Sequence, residues 1–181
     1  MAPTTRAAAQ KAEVTSHLFE DDGAIPNNSS LPFLIYLTAL EGTAGDLAAA
    51  FEDRFAANRW GGSWRYGVYP FPHYHSTAHE VLGVARGTAT LRLGGGNGIE
   101  IPVSAGDMVV IPAGGGHQNL GSSPDFLVVG AYPEGQEPDL CRGRPEERPR
   151  VLDNIARVPL PERDPVHGAE GPLAERWLRR G

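Results

Sequence analysis

One cysteine, Cys141, is all that the 181 residues contain. An intrachain disulfide framework is therefore excluded, and the cysteine usage fits a reducing compartment. No apolar run approaches the ~20 residues that a membrane span needs. The longest, around Leu31–Leu40, is interrupted by Pro32. The start, MAPTTRAAAQKAEVTS, lacks the apolar core of a secretory signal. Basic residues are also few, 16 against 22 acidic for a net charge of −6, so the positive stripe of a nucleic-acid binder is missing. At 21% charged residues the chain is no polyelectrolyte, and 40% hydrophobic residues can fill a sizeable core. What the chain has in quantity is glycine (23) and proline (16). That punctuation argues for short strands and tight turns rather than a helical bundle. These features together predict a cytosolic, β-rich single domain that neither enters a membrane nor binds nucleic acid.

Residues 1–15 have no periodic pattern and read as a flexible tail. Residues 16–62 read as a strand–helix extension. Its strand lies in Leu31–Thr38, where Pro32 marks an edge strand or a strand's first residues. The one clear amphipathic helix is expected over Ala44–Asn58. Leu47, Phe51 and Phe55 recur every four residues, Thr43 and Asp46 resemble a capping box, and Gly61–Gly62 are the expected stop. Residues 63–135 read as a barrel core. Ala89, Leu91 and Leu93 alternate with polar residues, GGGNG turns the chain, and Ile99, Ile101 and Val103 alternate again. Met108–Ile111 and Phe126–Tyr132 add apolar strands. So many short strands read as a β-sandwich or barrel. Residues 136–181 are expected to wrap its outside, with short helices near Arg150–Val158 and Leu173–Leu178 and a solvated RWLRR end.

Four of the six histidines fall between residues 73 and 117. His73 and His75, two apart on a strand, project into one space. Glu80 opens the next strand, and a hairpin would return its carboxylate to the two imidazoles. His117 arrives from a third strand. Three imidazoles and a carboxylate suit iron, manganese, nickel, copper or zinc. Counting back by twos from His73 places Phe71, Tyr69 and Arg65 on the same face as pocket candidates, provided Pro70 and Pro72 keep the alternation. An arginine there would suit a carboxylate substrate. Trp60 and Trp64 are candidates for either the mouth or the core. His79, beside Glu80, should point to the opposite face unless a local bulge turns it inward. Cys141 has no histidine near it in sequence and is not read as a nucleophile. His17 and His167 stand alone.

The spacing Gly67-x5-His73-x-His75-x4-Glu80-x6-Gly87, followed by Gly106-x5-Pro112-x-Gly114-x2-His117, resembles the two germin-type signature motifs of the cupin superfamily. The 18 residues between Gly87 and Gly106 resemble the short linker of small microbial members. The flanks IPNNSSLPFLIY, HYHSTAHEVLG and AYPEGQ are similar to single-domain bacterial cupins without an assigned reaction. The resemblance implies an all-β jelly-roll barrel (double-stranded β-helix) carrying one divalent metal per chain, iron or manganese foremost. The implied ligands are His73, His75, Glu80 and His117. It departs from the family at Gly121, where an asparagine is usual; Asn119 lies two residues earlier. The implied activity is a metal-dependent oxidoreductase, dioxygenase-like, on a small organic substrate. The alternatives are a metal-dependent isomerase or decarboxylase, or a barrel that binds a small ligand without turnover. A homodimer paired through the N-terminal strand is the expected assembly.

Overall fold

The computed structural model describes residues 13–42 and 44–179. Among these, nine strands form two antiparallel sheets that face each other. The strands are β1 (Glu13–His17), β2 (Phe33–Leu37), β3 (Trp60–Tyr66), β4 (Glu80–Arg86), β5 (Thr88–Leu93), β6 (Ile99–Ser104), β7 (Met108–Ile111), β8 (His117–Ser122) and β9 (Leu127–Pro133). The larger sheet runs in the order β1-β2-β7-β4-β9-β3, and the smaller runs β6-β5-β8. Helix α1 (Ala44–Ala57) follows β2, and α2 (Arg150–Arg157) lies in the C-terminal part. This is the jelly-roll architecture expected from the sequence.

Burial on one face or two explains the two kinds of strand sequence. In β5 the residues Ala89, Leu91 and Leu93 are buried while Thr88 is exposed and Arg92 only half-buried, so the alternation is visible. In β2, β4, β7 and β9 both faces are covered. Phe33, Ile35, Leu82, Val109 and Val128 turn toward the smaller sheet. Leu34, Tyr36, Val81, Val110 and Val129 turn outward, where Leu47, Phe51 and Phe55 of α1 cover them together with Trp60 and Trp177. A strand buried on both faces reads as a continuous apolar run, which is why FLIYL and MVVI show no alternation.

Several boundaries differ from the sequence reading. Pro32 immediately precedes a strand that lies inside the larger sheet, because β2 pairs with both β1 and β7. Glu13–Thr15, read as tail, pair with Leu37–Ile35 as part of β1; residues 1–12 lie outside the described residues, as does Thr43 of the expected capping box. The helix is stopped before the glycines. Arg59 adopts a positive φ of 63°, and the Asn58 side chain donates to Arg54 O at 3.0 Å and to Pro165 O at 2.9 Å. Gly61 and Gly62 instead belong to β3, where the pairing with β9 slips by one residue between Gly61 and Trp64. The RWLRR segment is no solvated end. Trp177, in a π-helical turn over Ala174–Leu178, is 2% exposed and donates from Nε1 to Pro32 O at 2.9 Å. Arg176 donates to Val14 O at 3.1 Å. Arg180 lies outside the described residues.

Candidate metal centre

Backbone pairing brings the histidines together. His73 and His117 form an antiparallel bridge, with His117 N–H donating to His73 O at 2.9 Å and His73 N–H to His117 O at 3.2 Å. Residues directly opposite in such a bridge project together, and the two ring centroids lie 4.0 Å apart. Tyr74 pairs in the same way with Cys141, and its side chain turns into a small core with Ile25 and Val151. His75, two residues after His73, returns to the shared space with its ring 5.4 Å from His117. One ligating atom from each of His73, His75 and His117 can be chosen so that all lie within 4.8 Å of one another.

The ring orientation follows from hydrogen bonds behind each imidazole. Nδ1 of His73 lies 3.0 Å from Phe71 O, that of His75 2.5 Å from Asp139 O, and that of His117 3.1 Å from Gly115 O. A carbonyl only accepts, so each Nδ1 carries a proton and Nε2 is the nitrogen left to serve the shared space. Glu80, the first residue of β4, completes the group with Oε2 2.6 Å from His75 Nε2. Burial holds His117 well below the usual imidazole range and also lowers His73. Burial acts the same way on His75, but the charge and hydrogen bond of Glu80 outweigh it and push His75 up to about 9. The space between His75 and Glu80 thus favours a positive charge. A divalent cation fits that place chemically. Glu80 Oε2 is buried with His75 Nε2 as its close polar neighbour, and three nitrogens with one carboxylate oxygen form a donor set for iron, manganese, nickel, copper or zinc.

The group lies in the wall of a cavity of about 400 Å³, whose other walls include Trp64, Val68, Leu82, Tyr132, Asp139 and Leu140. Tyr66 and Tyr69 stand at its mouth, 70% and 44% exposed. No lysine or arginine side chain lines it among the described residues. Tyr132 accepts a hydrogen bond at 2.8 Å from Trp64 Nε1, and burial raises its phenol to about 12. Trp64 reaches that position because Gly130, its partner on β9, has no side chain; a Cβ there would overlap the indole.

Of the pocket candidates, only Tyr69 lines this cavity. Arg65 turns away from it and forms a two-pronged ion pair with Glu52 of α1, at 2.5 and 3.0 Å. The counting by twos fails because residues 67–72 leave strand geometry at Pro70 and Pro72, so even-numbered Trp64 and Tyr66 face inward. Phe71 stacks on Tyr69 at 4.9 Å, lies under Arg142 at 3.8 Å, and contributes its carbonyl rather than its ring to the site. Trp60 belongs to the core, with Nε1 donating to Arg163 O at 2.9 Å. His79 is core-packed: it faces Trp177 at 5.0 Å, accepts at Nδ1 from Ala113 N–H at 2.8 Å, and is held neutral by burial, its value lowered to about 4. Asn119 does not stand in for the residue at Gly121. Its side chain accepts from Gly121 N–H and donates to Ser122 Oγ, inside a local slip of the β5–β8 pairing.

The sequence reading missed Asp139 and Tyr132. Asp139 lies 64 residues after His75, in a segment without periodicity, yet it orients His75 through its carbonyl and takes Ser76 N–H at 2.6 Å on its carboxylate. Cys141 is nearer the centre than its surroundings in the sequence implied. It is buried and pushed up to about 12, first by burial and then by Asp139, which leaves it inert as a thiol.

A profile of the cupin domain matches residues 66–125. The chain is also 44% identical over 167 residues to an uncharacterized protein, YjlB, of Bacillus subtilis (strain 168), covering 92% of this chain and 98% of that one. The chain belongs to the cupin superfamily. Among solved structures, the cupin is similar to an acireductone dioxygenase from Bacillus anthracis with cadmium ion in its active center. That match has 15% identity over 70% of this chain and 82% of that one, with a TM-score of 0.38. A cupin 2 domain-containing protein from Halorhodospira halophila matches at 13% identity over 86% and 89%, with a TM-score of 0.35. The 11S globulin procruciferin from Brassica napus matches 84% of this cupin at 16% identity and a TM-score of 0.37, but the cupin spans only 34% of its length. Similarity at that level speaks to no shared chemistry. No helix among the described residues of the cupin is long and apolar enough to cross a membrane.

Proposed function

We propose that the protein is a metal-dependent cupin enzyme acting on a small, largely apolar organic substrate, with iron- or manganese-type, dioxygenase-like oxidation as the leading activity. The observation that carries this reading is the set of three imidazoles with carbonyl-bound Nδ1 atoms, joined by the buried carboxylate of Glu80, in the wall of a mostly apolar cavity. His73, His75 and His117 would hold the ion through Nε2, with Glu80 as the charged ligand. When bound, such an ion would supply Lewis acidity or redox chemistry toward a substrate in the cavity.

The chain's own residues do the rest. The carbonyls of Phe71, Asp139 and Gly115 hold the imidazoles at fixed angles, so that little reorganisation accompanies binding. Val68, Leu82 and Trp64 exclude water and select for apolar bulk. A homodimer paired along β1, an outer strand of the larger sheet, belongs to the same reading; light scattering should then give twice 19.3 kDa, and a mass of 19.3 kDa would remove the dimer.

The test is elemental analysis of untagged protein beside the His75→Ala and Glu80→Ala variants, followed by oxygen uptake with a panel of small acids, enols and phenols. About one equivalent of iron or manganese, lost in both variants, together with substrate-dependent oxygen uptake supports the reading. Turnover without oxygen uptake moves it to a metal-dependent isomerase or decarboxylase. Tight binding without product moves it to a ligand-binding barrel. A wild type that takes up no metal overturns it.

A further inference from the structure

Polar groups inside the cavity are scarce, and apart from the metal-binding set one of them is placed as a donor without an acceptor. Tyr132 lines the cavity from β9, and its ring stands edge-on to His75 with centroids 6.3 Å apart. Its oxygen already accepts the Trp64 indole N–H at 2.8 Å. An indole nitrogen only donates, so this bond fixes the phenol oxygen as acceptor on that side and leaves its own O–H to point elsewhere. Among the described residues, no acceptor receives that O–H. The arrangement is built rather than incidental. It requires the bulge between Gly61 and Trp64, which sets the phase of β3, and the missing side chain at Gly130, whose place the indole fills. Tyr66 and Tyr69 stand instead at the exposed mouth.

Resting on the metal-site reading above, we propose that Tyr132 is a substrate-orienting residue, donating its O–H to an oxygen of a metal-bound oxyanion. The substrate class follows from the same lining. It is a small, mostly apolar molecule that bears an enolate, carboxylate or similar oxygen pair, with one oxygen beside the metal-binding set and the other within reach of Tyr132. No lysine or arginine lines the cavity among the described residues. The negative charge of such a ligand would therefore be met by the cation and one neutral donor. A donor held in place before the ligand arrives needs little ordering when it binds, and a hydrogen bond to a charged oxygen is stronger than one to a neutral acceptor.

The experiment uses cobalt(II)-loaded protein, whose visible bands report what enters the coordination sphere, and two probes. Acetohydroxamate offers two anionic oxygens, and imidazole offers a nitrogen and no acceptor oxygen. In Tyr132→Phe, acetohydroxamate should bind about tenfold more weakly or worse, with cobalt content unchanged and imidazole affinity within about twofold of wild type. Equal hydroxamate affinity in Tyr132→Phe and wild type would overturn the assignment and leave the metal site standing. So would a parallel loss for both probes, because that marks a packing role. A wild type that binds no cobalt removes the metal-site reading, and this assignment with it.

Discussion

Glu147 shows how much one carboxylate can organise. Burial acts to raise its pKa, but the N–H groups of Arg142, Gly143 and Arg144 at 2.8–3.0 Å, with the Tyr74 hydroxyl at 2.9 Å, hold it below the ordinary carboxylate value of 4.5. Tyr74 sits between His73 and His75, so this acceptor also steadies the strand that carries two of the metal-binding set. Because the folded value is depressed, the carboxylate's contribution is full above pH 4.5 and is lost as the pH falls through the folded value. A Glu147→Gln variant keeps the shape but loses the charge and half of the accepting capacity. It should be less stable than wild type by about 1–2 kcal/mol at neutral pH. Urea unfolding at pH 7 and again near pH 3 checks this: the gap should be clear at the first and should shrink at the second. A gap of the same size at both values would mean that shape, not charge, holds the loop.

Among the elements, α1 docks on β4 through a single absent side chain. Gly83 faces Phe51, and a Cβ built there would come within 2.6 Å of the Phe51 ring. Gly83→Ala should therefore push the helix off the sheet and cost about 1–3 kcal/mol. Adding Phe51→Ala should make the pair less than additive, because the clash disappears with the ring. Gly121→Ala is the contrast, with open space around it and an expected change within about 0.5 kcal/mol. Denaturation midpoints of wild type, the two single variants, the double variant and Gly121→Ala settle the comparison. The helix and the β5–β6 hairpin were legible in the sequence because their periods of 3.6 and 2 survive uninterrupted. Arg65 was misplaced because residues 67–72 break the strand before His73, and no local pattern records where alternation stops. The buried Trp177 was hidden for a related reason, since a single π-helical turn leaves no period to read. His73, His75, Glu80 and His117 were legible through short spacings that a bridge and two strand starts convert directly into proximity. Tyr132 and Asp139 reach the same cavity from 57 and 64 residues beyond His75, and only the closed barrel brings them there.

The candidate metal-binding set exists only in the folded barrel. The four side chains come from the segment before β4, from β4 itself and from β8, and Asp139, which orients one of them, comes from the C-terminal wrap. An unfolded chain has no such set, so metal affinity adds directly to folding stability. At a free metal concentration ~100 times Kd, the gain is about 2.7 kcal/mol. For a domain of this size that corresponds to a rise in Tm of about 5–10 °C. Thermal unfolding of metal-loaded protein with and without a strong chelator should show that difference. The same pair of scans on His75→Ala should show almost none, because the remaining donors lack the imidazole that Glu80 faces. The two scans separate the metal's contribution from any structural cost of the substitution, which lowers both curves equally. A chelator that leaves the wild-type Tm in place would mean that the four donors hold no ion. The barrel would then owe its stability to the apolar layers on the two faces of the larger sheet alone.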